Sequence, residues 1–483
     1  MDLEINYEIA RVAEFILSHS FTRVALQFPD ELLKDSMRVV KALRKEINSS
    51  AVKLYVMADT TYGSCCVDEV GAAHVNAECV VHYGHTCLSP TSKLPALFIF
   101  EKASISTSNC ALKLLDYGMT SDKPILVLFG LEYAHAIPEI KKNLAYSVST
   151  IVGSASMSSL LFADVICSFI SPSETCQPAS QVGPVDSQNY SIGGLTWRLP
   201  EGRKMEDYSL FWIGSDNPAF SNVVLTFNSC EIVRYDAAED CLMTDVSQQK
   251  KILRRRYYLV EKAKDANMIG ILVGTLGAAG YLHMIHQMRD LITKAGKKSY
   301  TFVMGRPNPA KLANFPECDV FINVSCPQTA LFDSKEFLAP IITPFEAMLA
   351  LERGSQWTGA YVMEFRDLIA STPSIPSEQS EEARFSFIQG GYVEDLDMQD
   401  TEEVEKDEIL ALVNTTEKAL QVRDDNTQHL TKSDAKSGAE FFASRSYHGL
   451  DINSTDSAPG NFLTGRSGKA SGYTHEKTEK SHL

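Results

Sequence analysis

The 483-residue sequence contains no Cys-x-x-Cys pair, which removes the zinc-ribbon and thioredoxin readings that this spacing would carry. No run approaches the ~20 apolar residues that a membrane-crossing helix needs. The opening MDLEINYEIARVAEF is acidic and lacks the positive segment and apolar core of a secretory signal. Neither G-x-G-x-x-G nor a phosphate-loop lysine is present, so the usual nucleotide fingerprints are missing. Basic stripes are missing too. The first 370 residues carry 40 acidic and 34 basic side chains and the rest carry 21 and 11, within a net charge of −16. A near-neutral body offers no electrostatic footprint for nucleic acid.

What is present is a 44% apolar chain with eleven cysteines. An odd number of cysteines without a secretory signal fits reduced thiols, some of them metal ligands, and the expected compartment is the cytosol.

Up to about residue 370, short apolar runs alternate with helical patterns. Arg23–Phe28 is a continuous β-rich run closed by Pro29, with Asp30 at an N-cap position ahead of ELLKDSMRVVKALRKEI, where Leu32, Leu33, Met37, Val40 and Leu43 recur at helical spacing. Lys53–Ala58, Cys79–Tyr83 and Ala96–Glu101 continue the pattern. It restarts at Pro124–Gly130 and again at Met268–Gly277. Apolar strands without alternation are buried on both faces, as in parallel sheets flanked by helices. The expectation is an α/β protein of three units, residues 1–120, 121–243 and 244–370. A largely disordered acidic tail, 371–483, follows. Within it, nine acids and one lysine occupy Glu394–Glu408, and the aromatic Glu440–Leu450 is read as a docking or tail segment.

In such units, ligands sit at the carboxyl ends of strands. Cys65 and Cys66 follow the run KLYVMA, Cys87 follows CVVHY, and Cys326 follows VFINV. A lone cysteine is usually a small buried hydrophobe, and adjacent cysteines diverge on an extended chain. Position alone therefore leaves a metal site open. Val273–Gly280, VGTLGAAG, reads better as a tight turn than as an anion cradle. His74, His82 and His85 invite a mixed Cys/His site, although capping or exposed histidines are commoner. Arg254–Arg256 could pair with acids or meet a partner, and a solvated face is the commoner outcome.

The stretches ALQFPDELLKD, DTTYGSCCVDEVGA, HYGHTCLSP, FWIGSDNPAFSNVVLTFN, GILVGTLGAAG, FVMGRPNPAKLANFPECDVFINVSCP and IITPFEAMLAL resemble the diphthamide-synthase family, in order over about residues 5–350. The resemblance implies three homologous α/β domains around a 4Fe–4S cluster. Catalytic members of the family take one cysteine from each domain and use S-adenosylmethionine. A 3-amino-3-carboxypropyl radical is then added to a histidine of translation elongation factor 2. The middle segment Ser180–Trp197 carries no cysteine, whereas Cys65–Cys66 and Cys87 are similar to the second, non-catalytic-type eukaryotic subunit. Carried over, the resemblance implies cluster ligands Cys66, Cys87 and Cys326, with Cys65 the substitute for Cys66. Pro327–Gln328 departs from the catalytic Cys-Pro-Arg, which implies that the partner subunit binds S-adenosylmethionine. The implied partners are the catalytic first subunit, a small metal-binding electron donor, a reductase, and the elongation factor as substrate. The implied role is to help keep the catalytic cluster reduced. A cluster-free, purely structural subunit is the alternative.

Overall fold

The computed structural model describes residues 3–370 except 58–61, 152–158, 173–188, 246, 333–335, 353–354, 356 and 358, and adds 384–386, 388 and 391–393. Cys176, part of the Ser180–Trp197 segment, the Glu394–Glu408 run and the Glu440–Leu450 island lie outside the described residues. Everything described belongs to a unit spanning Met1–Glu403.

Apolar runs build three mainly parallel sheets flanked by helices, as the sequence pattern predicts. In the first sheet the strand order is Lys53–Met57, Arg23–Gln27, Cys79–Tyr83, Ala96–Ile99, all parallel, with Phe169–Ile170 antiparallel at the edge. The second runs Cys241–Met243, Glu231–Asp236, Ser209–Ile213, Ile125–Phe129, Leu160–Phe162. Only Cys241–Met243 is antiparallel there. The third, Lys298–Phe302, Met268–Val273, Val320–Val324, Ile341–Ile342, is wholly parallel. A small antiparallel sheet joins Asp164–Val165, Leu195–Arg198 and Asn189–Ile192.

Ile125–Phe129, Ser209–Ile213 and Val320–Val324 are buried at every position. Each fully buried Val, Leu, Ile or Phe contributes about 1.5–3 kcal/mol, which is why these runs stay in sheet interiors. Helix Tyr281–Lys294 lays Met284, Ile285, Met288 and Ile292 on the third sheet's core. No helix among the described residues is long and apolar enough to cross a membrane.

Two local readings change. The helix after the first strand is Ser36–Ile47, preceded by a 3-10 turn at Leu33–Asp35, because the Pro29 carbonyl takes the N–H groups of Leu32 and Leu33. Met37 consequently faces solvent. Asp30 does not cap this helix; its carboxylate meets Arg306 at 3.2 Å. Arg256 is buried within helix Ser247–Lys264, with its Nε 2.6 Å from Oε1 of buried Glu346 and its Nη2 on the other oxygen. The Tyr361 hydroxyl donates to the same carboxylate at 2.9 Å.

Candidate metal centre

Four thiols meet where the loops of the first sheet touch those of the third. Cys65 and Cys66 lie in a turn closed by the Cys66 N–H on the Gly63 carbonyl at 3.4 Å. Asp68 ends that turn by capping helix Glu69–His74, its carboxylate accepting the Gly71 N–H. Cys87 leaves the strand Cys79–Tyr83 and donates its N–H to the Cys65 carbonyl at 3.2 Å. Cys326 leaves Val320–Val324, and its own carbonyl accepts the N–H groups of Thr329 and Ala330.

The sulfurs of Cys65, Cys66, Cys87 and Cys326 all lie within 4.8 Å of one another, and all four residues are buried. Cys65 Sγ is 3.3 Å from Cys326 Sγ and 4.0 Å from Cys66 Sγ, and Cys66 Sγ is 3.6 Å from Cys87 Sγ. Cys66, Cys87 and Cys326, the three singled out in the sequence, lie in one group, and Cys65 joins them. Neighbouring cysteines diverge on an extended chain, but the backbone here turns, so both side chains face the same side.

Hydroxyls accompany three of the sulfurs. Thr275 Oγ1 donates to Cys66 Sγ at 3.5 Å, Ser89 Oγ lies 3.1 Å from Cys87 Sγ, and Thr329 Oγ1 lies 3.1 Å from Cys326 Sγ. Thr275 also accepts the N–H groups of Gly277 and Ala278, so VGTLGAAG is a tight turn. It holds a hydroxyl at the site, and a Cβ on Gly277 would lie 2.3 Å from the Val67 carbonyl oxygen. Only glycine lets the two loops approach this closely.

Proton sharing follows from the crowding. Hydrogen bonds from Cys65, then Cys66 and Cys87, push the Cys326 thiol well below its usual range. Donation to Cys326 correspondingly pushes Cys65 and Cys66 up. Elsewhere, lone Cys110 and Cys318 are pushed up to about 12, by burial first and by nearby carboxylates second. Four buried thiols sharing protons are a donor set for a soft metal or an iron–sulfur group, and loading displaces the protons.

The histidines do not enter the sulfur group. His82 is fully buried with Nε2 2.9 Å from the Ser64 carbonyl oxygen, and exposed His85 faces the Ser64 hydroxyl at 3.3 Å. His74 lies in the last turn of helix Glu69–His74. Sequence reasoning missed Gln27, Thr275 and Thr329. The one legible signal is Gln27, a polar residue inside the otherwise apolar run VALQF. A cavity of about 430 Å³ opens beside Cys65, lined in part by Thr86, Gln328, Glu132 and Trp212. The buried indole N–H of Trp212 has no partner among the described residues. Glu132 titrates above the usual carboxylate range because it is desolvated and faces Glu101.

Comparison with known proteins gives the family and the fold. A 2-(3-amino-3-carboxypropyl)histidine synthase subunit 2 from Danio rerio is 36% identical, covering 99% of this chain and 93% of that protein. One of the same name from Gallus gallus is 37% identical, covering 99% and 94%. The crystal structure of Dph2 from Pyrococcus horikoshii with a 4Fe–4S cluster shares the fold, with a TM-score of 0.53, 16% identity, and coverage of 74% of this chain and 93% of that one. The family model for diphthamide synthesis proteins matches residues 28–362. With that match across most of the chain and relatives aligned end to end, the chain belongs to the diphthamide synthesis protein family.

Proposed function

We propose that this chain is the second, non-catalytic-type subunit of a heterodimer performing the first step of diphthamide synthesis. In that step a 3-amino-3-carboxypropyl group passes from S-adenosylmethionine to a histidine of translation elongation factor 2. The observation that carries the reading is the four buried thiols within one 4.8 Å group. Cys66, Cys87 and Cys326 are the proposed ligands of a 4Fe–4S cluster, and the proximity of Cys65 to them supports proposing it as a fourth ligand rather than only a substitute for Cys66. Such a cluster supplies single electrons that keep the partner's cluster reduced.

This chain's residues would hold the group, bury it and donate hydroxyl hydrogen bonds to its sulfurs, which are levers on reduction potential. Four thiolates leave no open coordination position, so S-adenosylmethionine binding falls to the catalytic partner. The Gln328 amide is used on the Thr86 carbonyl at 2.7 Å, which fits that division of labour. A small metal-binding electron donor and a reductase would feed the pair in the cytoplasm. We also propose units 1–120, 121–243 and 244–370, followed by the acidic tail 371–483.

A second reading has a specific observation behind it. Three of the six sulfur separations are 3.3 to 4.0 Å and all are within 4.8 Å, close to the edge of a tetrahedron around a single ion, roughly 3.8 Å for metal–sulfur bonds near 2.3 Å. The deciding experiment is anaerobic co-purification with a catalytic partner whose own cluster cysteines are replaced by serine. Iron and acid-labile sulfide in equal amounts, lost in Cys66→Ser, Cys87→Ser or Cys326→Ser, support the cluster. Zinc without sulfide supports the single ion. No metal leaves a structural, cluster-free subunit.

A further inference from the structure

Gln27, the last residue of strand Arg23–Gln27, and His82, the next to last of the adjacent parallel strand Cys79–Tyr83, stand in register with one another. Both are buried, at 1% and 0% exposure. Gln27 Nε2 donates to the Cys66 carbonyl at 2.8 Å, while its Oε1 accepts the Asp68 N–H at 2.9 Å. His82 Nε2 lies 2.9 Å from the Ser64 carbonyl oxygen. A carbonyl only accepts, so this nitrogen carries the proton and the tautomer is fixed. The carbonyl between them, that of Cys65, takes the Cys87 N–H and the Thr86 hydroxyl, each at 3.2 Å. Three consecutive carbonyls are therefore each gripped by a donor from the sheet or its next loop.

Gripping the peptides on both sides of Cys65 fixes the dihedral angles that decide where two neighbouring side chains point. Released to an extended conformation, Cys65 and Cys66 would face opposite ways. We infer that Gln27 and His82 are positioning residues, a two-strand clamp that turns the vicinal Cys65–Cys66 pair into two thiolates aimed at one metal group. Burial alone would require only that the two side chains find some hydrogen-bond partner. It would not require partners flanking one cysteine, nor paired donors from neighbouring strands. The inference rests on the metal-binding reading but is tested apart from it.

The test titrates cobalt(II), a tetrahedral thiolate reporter, into the unloaded full-length chain and compares Gln27→Leu, His82→Phe and His82→Gln. Iron and sulfide content are measured in parallel on chains purified anaerobically. Supporting groups around metal ligands typically govern 10–100-fold in affinity. Gln27→Leu and His82→Phe are expected to fold with unchanged circular dichroism, bind cobalt at least tenfold more weakly and lose charge-transfer intensity from one thiolate. His82→Gln keeps a donor and is expected to recover most of both. Cobalt binding of wild-type strength and spectrum in Gln27→Leu and His82→Phe would overturn the clamp, as would equal losses in His82→Phe and His82→Gln. If the wild type binds cobalt through four thiolates yet never carries sulfide, the cluster reading fails and the clamp stands.

Discussion

The first and third sheets bring all four sulfurs of the candidate centre to their carboxyl ends, whereas the second sheet, built of the same kind of strands, brings none. At the equivalent ends of Ile125–Phe129 and Ser209–Ile213 stand Glu132 and Trp212, which line the same cavity as Cys65. The strand cores are interchangeable apolar runs; the chemistry lies in the few residues after each strand. Where those residues are Gly, Ser, Thr and Cys, as in GSCC, GTLG and SCPQT, loops from two sheets approach closely and interlock. Where they are Gly, Leu and Glu, as in GLEY, a cavity remains. The centre is thus two-sided, although the architecture has three sheets.

Replacing one sulfur on each side of this division gives the largest contrast. Cys326→Ser is expected to remove most bound metal, at least a tenfold loss by elemental analysis. Cys230→Ser, in the second sheet's core and outside the four-cysteine group, should leave metal content unchanged. Equal losses would mean that the cysteine group is not the metal site.

Next in size is the support of the third sheet. Glu346→Ala strands the buried Arg256 guanidinium without its carboxylate. Breaking one partner of a buried pair costs about 3–5 kcal/mol, read as a lower denaturant midpoint. Gly277→Ala acts at the seam itself. Its Cβ would collide with the Val67 carbonyl, and overpacking of this kind costs typically 1–3 kcal/mol. It should lower metal content while leaving the second sheet's amide-exchange protection intact. Protection lost equally in all three sheets would show that the seam is not local.

Much of this was legible beforehand for a physical reason. Runs such as RVALQF, ILVLFG and VFINVSC are apolar without alternation, and only a strand buried on both faces wants that pattern. The position of a cysteine after such a strand was equally readable. What lay hidden depended on partners distant in sequence. Asp30 looked like an N-cap until Arg306, across the fold, claimed its carboxylate. Cys65 reads as a substitute for Cys66 because neighbouring side chains diverge on an extended chain, and the turn is imposed by Gln27, His82 and Thr86 from other strands and loops. Thr275 and Thr329 carry no local mark, since a threonine in a turn is ordinary until a sulfur arrives beside it.

The smallest effect belongs to the second sheet's side of the cavity and has a definite sign. Glu132 holds its proton more tightly folded than unfolded, because the folded chain desolvates it and sets Glu101 nearby. An acid raised in this way contributes its stability fully below the usual carboxylate range, and that stability is lost as pH rises through the raised value. At neutral pH and above, the ionised side chain therefore burdens the fold. Glu132→Gln removes the charge, so the variant should melt roughly 1–2 °C above wild type at pH 8, with the gap narrowing toward pH 5. A gap that stays constant across this range would mean that the carboxylate is well solvated in the cavity. A gap that closes as expected would mark the second sheet's wall as a place where negative charge is poorly tolerated, in contrast to the thiol side, where hydrogen bonds favour a thiolate at Cys326.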